Sequence, residues 1–185
     1  MQVLRLIFQV LIELLSKVVF LIISDLDVDV LGFTGHIDSV DDVLDDIDIF
    51  SKGSVVQLLD ANGIAGRNHV FHAVNQSVLA FDRKDNFAND LGVEICLRCS
   101  AQRQISKAFS LLGLKEGDMN LCAVIVNGNN EIYDYLNSTF DRNDDVLLPV
   151  NDDLVKIFDI SSEELACYTH EDIIIDKISK LVVDF

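Results

Sequence analysis

This sequence of 185 residues has one proline, Pro149, no tryptophan, and only 14 lysines and arginines against 31 aspartates and glutamates. With a single proline and no long Gly/Ser stretch, no segment reads as a flexible linker, and no internal repeat is present. A chain of this length without a linker builds one domain with a sizeable core. The net charge of −17 argues against binding nucleic acid by general electrostatic attraction. No uncharged apolar run approaches the ~18 residues of a membrane-spanning helix. In the apolar opening, residues 1–25, Arg5, Glu13 and Lys17 interrupt the run. A signal peptide would not carry Glu13 and Lys17 in its apolar region. Three readings of that segment stay open: an artefact of an upstream start codon, an extra helix packed on the domain or a partner, or a weak membrane anchor. For the domain itself no membrane partner is expected.

Other absences bear on chemistry. No GxxxxGK[ST] or GxGxxG loop and no GxSxG elbow occurs. No cofactor is expected. The cysteines are Cys96, Cys99, Cys122 and Cys167. Cys96-x-x-Cys99 lacks a second pair at zinc-site spacing, so buried, reduced thiols in a cytoplasmic protein are expected. His69 and His72 lie three apart, and both could ligate a metal, but no carboxylate or further ligand follows at fitting spacing. No metal and no catalytic residue is assigned.

What is present reads as a single α/β domain over residues 26–185, a mixed β-sheet packed with helices. Val28 to Phe33 alternates like an opening strand, and Ser39 with Asp42 marks a helix start. Val55 to Leu59 and Met119 to Val126 read as buried strands, and Val146 to Pro149 as a short edge strand. Asn68 is expected to cap a helix ending before Asp85, and Gly92 to Cys99 reads as a strand. Ser100 is expected to cap the next helix, which turns Ile105, Ala108, Phe109 and Leu112 inward and stops at Gly113. Ser161 with Glu164 and Thr169 with Asp172 signal two more helix starts.

Two polar clusters stand out where a core would be expected. His69-Val70-Phe71-His72-Ala73-Val74-Asn75-Gln76 puts His72, Asn75 and Gln76 on one helical stripe. Glu94-Ile95-Cys96-Leu97-Arg98-Cys99-Ser100-Ala101-Gln102-Arg103-Gln104-Ile105 reads as a strand running into a helix, with backbone N–H groups at the junction that suit anions. Residues Gly66 to Lys107 hold six basic and four acidic residues, a locally basic island on an acidic chain. His72, Asn75, Gln76, Arg98, Ser100, Gln102, Arg103 and Gln104 suit hydrogen bonds to base edges and phosphates better than bond-breaking chemistry. Against that stands a purely structural role: a buried His-Asn-Gln network can tie helix to strand, and Arg98 can pair with Glu94.

The motif His-x-x-His-Ala-x-Asn-Gln, then Glu-Ile-x-x-Arg-x-Ser-x-Gln-Arg-Gln-Ile-x-x-Ala, resembles the small kinase-binding subunit family of the KEOPS complex, the PRPK-binding protein (TPRKB) family, in its archaeal form. The resemblance extends more loosely from about Val28 to the C-terminus. It implies a non-catalytic subunit of a complex that installs N6-threonylcarbamoyladenosine on tRNA. Such a subunit binds the N-lobe of a kinase-like ATPase, and archaeal members capture the single-stranded CCA end of tRNA. The C-terminal helix carries more apolar residues than one face buries. Ile174 and Ile178 fit the inward stripe, leaving Ile173, Ile175 and Val183 as expected partner contacts. The rival is a small enzyme using His72 as acid–base, with Arg98 and Arg103 holding an anionic substrate.

Overall fold

The computed structural model describes residues 26–149 and 151–182. Residues 1–25, on which the three readings of the apolar opening fall, lie outside the described residues, as does Val183. Four strands form one antiparallel sheet: β1 (Val28–Ile37), β2 (Val55–Asp60), β3 (Gly117–Val126) and β4 (Asp141–Arg142), in the order β2-β3-β1-β4. The helices are α1 (Val40–Phe50), α2 (Arg67–Arg83), α3 (Leu91–Cys99), α4 (Ile105–Leu112), α5 (Asn130–Thr139), α6 (Asn151–Phe158), α7 (Ser162–Leu165) and α8 (His170–Lys180).

The sheet is covered on both faces. β3 is central, and its run Leu121 to Val126 is buried throughout, as expected of a strand packed on two sides. Phe33, Leu58, Leu121, Ala123 and Ile125 point to one face, against Val43 and Ile47 of α1 and Ile132 and Leu136 of α5. Val30, Leu59, Cys122, Val124 and Val126 point to the other, against α2, α3, α4, α6 and α8. Register makes this possible: Val30 opposes Val124 and Phe33 opposes Leu121, so alternate residues of paired strands share a face. The helix starts at Ser39, Ser161 and Thr169 form as the sequence indicates. The Ser39 hydroxyl accepts from Asp42 N at 3.2 Å, and Ser161 and Thr169 make full capping boxes with Glu164 and Asp172.

Two expectations are corrected. Gly92 to Cys99 is not a strand but lies in α3. Asp90 caps it, accepting from Val93 N at 2.9 Å, and the helix is buried on nearly every side. A helix wrapped in core shows no polar stripe, so the alternation of Val93, Ile95, Leu97 and Cys99 mimics a strand. Val146 to Pro149 is not an edge strand either, since Asp144–Leu147 forms a 3₁₀ turn. The Asp144 carboxylate pins that turn across β1, accepting from Gly32 N at 2.8 Å and pairing with Arg67 and Arg142. Among the described residues no helix is long and apolar enough to cross a membrane.

Candidate functional site

The His-rich helix α2 starts two residues earlier than expected. Its N-cap is Gly66, at φ 121°, where a side chain would be strained, and Asn68 falls inside the first turn. The Glu171 carboxylate of α8 supplies the missing acceptor, taking the His69 N–H at 3.2 Å. The His69 ring is buried and fully used. Ala65 N donates to Nδ1 at 3.1 Å, which leaves Nε2–H to donate to the Cys99 carbonyl at 2.9 Å. The neutral tautomer is thus fixed, and burial pulls its pKa down to about 4. His72, three residues on, turns to a different element. Its Nε2 lies 3.0 Å from Ser179 Oγ of α8, and the Ser179 hydroxyl itself donates to Ile175 O, so the imidazole is the donor. Burial also lowers the pKa of His72. The two rings therefore share no common point. Asn75 and Gln76 sit half-buried on the next turn.

At the α3–α4 junction the expected residues divide into two groups. Arg98 and Ser100 are buried. Arg98 donates from Nε and Nη2 to Glu94 Oε1, both at 2.8 Å, while Glu94 Oε2 accepts from Phe87 N and Ala88 N. The Arg98 guanidinium lies against the Phe87 ring, 4.6 Å from its centroid. Of the two roles open to Arg98 in the sequence, the structure shows the pair with Glu94, and the side chain is buried rather than turned out to a ligand. Arg98 is thus committed to Glu94 and is not turned outward beside Arg103. Ser100 is a C-cap, not an N-cap, and its hydroxyl donates to Leu97 O.

Gln102, Arg103 and Gln104 form the outer group. Ala101 N bonds Arg98 O and Gln102 N bonds Leu97 O, a paired C-terminal motif that usually places glycine where Ala101 stands at φ 51°. The reversal delivers Gln104 as the N-cap of α4 and sets Arg103 at the surface, its Nη2 donating to Leu181 O at 2.8 Å. α4 turns Ala108 and Leu112 inward as expected. Ile105 and Phe109, expected inward, are exposed instead.

Beside this junction lies an open groove of about 380 Å³ lined by Gln102, Lys107, Lys177 and Lys180, with Asp159 as its carboxylate. Lys177 stands 3.7 Å from Glu164, and Lys180 pairs with Asp176. Leu181, which holds Arg103, lines the same groove. Lys177 and Lys180 come from α8, far from the motif in sequence, and nothing local to Arg98–Gln104 signals them. Phe87 was missed too, although an aromatic within the polar run Asp85 to Asp90 was a readable sign.

On α8, Ile173 is only 5 % exposed and packs inward with Ile174 and Ile178, which corrects its expected place on the outer face. Ile175 is half-buried, and Tyr168, ahead of the N-cap Thr169, and Val182, just past the C-cap Leu181, are exposed. Cys96, Cys99 and Cys122 are buried, and burial pushes the Cys96 and Cys122 thiols up to about 12. Cys167 is exposed, contrary to expectation. Among the described residues no group of His, Cys, Asp and Glu side chains is arranged to hold a metal.

Comparison with known proteins places these features in a setting. The family described as kinase binding protein CGI-121 matches residues 46–180. A protein named regulatory protein Cgi121, from Methanocaldococcus jannaschii, is 33% identical over 106 residues, covering 57% of this chain and 68% of that protein.

Proposed function

The chain belongs to the CGI-121 family of kinase-binding proteins, the family to which its central motif points, and from that premise we propose a role in two parts. It is a non-catalytic, cytoplasmic subunit of the KEOPS tRNA-modification complex. One part binds the kinase-like ATPase subunit, and the other holds the single-stranded CCA end of tRNA. The family match carries the first part. On this chain half-buried Ile175 on α8 and exposed Val182 just past its C-cap offer apolar surface for that partner, and Val183 is proposed as a further contact. Ile173 packs inward and supports α8 from the core side.

The second part is supported by the groove beside the motif. Gln102, Arg103 and Gln104 supply donors and acceptors, and Lys107, Lys177 and Lys180 supply positive charge on an otherwise acidic chain. Arg98 and Ser100 act from beneath by fixing the turn. His72, Asn75 and Gln76 back the α8 side, since His72 holds Ser179, the neighbour of Lys180.

Reconstitution of the complex tests both parts. Ile175→Asp should abolish co-purification with the kinase-like subunit while the isolated chain stays folded. Arg103→Ala should weaken tRNA binding with little loss of melting temperature, because an exposed charge contributes little to stability. Removing the CCA end should weaken binding to wild type sharply. Unchanged co-purification with Ile175→Asp sinks the α8 contact, and equal binding of intact and trimmed tRNA sinks the CCA reading.

A further inference from the structure

The loop between α2 and α3 carries an aromatic ring that the core does not need. Its sequence, Lys84 to Asp90, is polar apart from Phe87 and Ala88. The loop is not a slack tip. Phe87 N and Ala88 N donate to Glu94 Oε2 at 2.8 and 2.9 Å, the Asn86 amide donates to Ala88 O at 2.8 Å, and Asp90 caps α3. The backbone is held on both sides of the ring, so the ring is oriented before any ligand arrives.

Beneath it lies the buried guanidinium of Arg98, whose Nη1 has no hydrogen-bond partner among the described residues. The ring therefore meets a cation on its inner side, and Phe87 is still 37 % exposed. The Arg103 guanidinium also lies over the ring, at a looser 5.6 Å from its centroid, and bonds the carbonyl of Leu181, a residue that lines the lysine groove, so a base stacking on the ring would share it with Arg103. Ring, Arg103, Leu181 and groove thus form one continuous strip. Single-stranded nucleic acid needs these two parts side by side: an aromatic face for a base and a cationic track for the backbone. A ring already fixed in place loses little freedom on binding.

We propose that Phe87 is the stacking platform for a base of the bound single-stranded RNA end, an inference that rests on the RNA reading above and gives it a residue. The competing role, a lid that only keeps water from the Glu94–Arg98 pair, asks for apolar bulk and not for an aromatic face. Leucine would serve a lid, whereas tyrosine or tryptophan would serve a platform.

The test uses the full chain and a short oligoribonucleotide ending in CCA, read by fluorescence anisotropy beside the same strand without CCA. Phe87→Leu should weaken binding of the CCA strand on the order of tenfold, the effect of losing one base–aromatic stack. Phe87→Tyr or Phe87→Trp should stay within about twofold of wild type. Phe87→Leu binding as tightly as wild type overturns the platform while leaving the RNA reading standing. A wild type that binds neither strand, or both equally, overturns the RNA reading itself. Ultraviolet cross-linking of the wild-type protein to the CCA strand, with the peptide mapped, needs no variant to fold. A cross-link at Phe87 is expected, and cross-links confined to other residues overturn the assignment.

Discussion

Glu94 has a buried carboxylate with four donors: Arg98 Nε and Nη2 on one oxygen, Phe87 N and Ala88 N on the other. With side chains 0 % and 2 % exposed, neither charge of the pair has water to fall back on. Arg98→Ala should therefore cost about 3–5 kcal/mol in urea unfolding, because it strands the carboxylate in the core. The double change Glu94→Gln with Arg98→Met should recover part of that loss. A single-variant loss below about 1 kcal/mol would mean that water reaches the carboxylate. His69 makes a second residue-scale prediction. Folded, it takes a proton only near pH 4, whereas an unfolded histidine takes one near 6.5. Below pH 6.5 the unfolded chain binds the extra proton, so stability present above 6.5 is lost as pH falls toward 4, by roughly 3 kcal/mol. His72, shifted down as well, adds loss in the same direction. Urea midpoints at pH 7 and 4.5 should fall more steeply for wild type than for His69→Gln. Parallel lines for the two proteins would show that another group sets the acid limit.

At the scale of elements, the turn between α3 and α4 sets the candidate site, and it does so with an alanine where glycine is usual. A left-handed alanine costs ~1–2 kcal/mol, partly offset because glycine would loosen the unfolded chain. Ala101→Gly should therefore leave melting unchanged or raise it, by up to about 4 °C. A clear drop would mean that the Ala101 methyl packs more usefully than its strain costs. Elements with short-range capping signals were legible from the sequence: Ser39, Ser161 and Thr169 start helices, and Gly113 ends one. β3 was legible because a doubly covered strand is an unbroken apolar run. α3 was not, because burial on nearly all sides erased its stripe, and alternating apolar residues then imitated a strand. That single error put Arg98 and Ser100 at a strand-to-helix junction and made Ser100 an N-cap. The outer residues Gln102, Arg103 and Gln104 survived it, since a polar run after any buried element ends at the surface. Lys177, Lys180 and Phe87 could not be joined to them from sequence, because only tertiary packing brings α8 and the 84–90 loop to that junction.

For the whole molecule, charge decides how RNA can approach. The net charge of −17 repels a phosphate backbone over most of the surface. The basic island read from Gly66 to Lys107 is also weaker in three dimensions than in sequence. Arg67 pairs with Asp144, Arg83 with Asp85 and Arg98 with Glu94. The positive charge beside the groove comes from the last two members of that island, Arg103 and Lys107, and from Lys177 and Lys180 on α8. Lys177 and Lys180 already face Glu164 and Asp176, which limits what they give to a ligand. With roughly three phosphates engaged, the logarithm of affinity for a CCA-ended strand should fall with the logarithm of salt at a slope of about −2. Lys107→Gln should flatten that slope by a little under one, without changing preference for the CCA end. A slope steeper than about −5 would require contacts well beyond one groove. The measurement therefore separates an end-capturing site, held by stacking and a few hydrogen bonds, from a surface that grips the body of a tRNA.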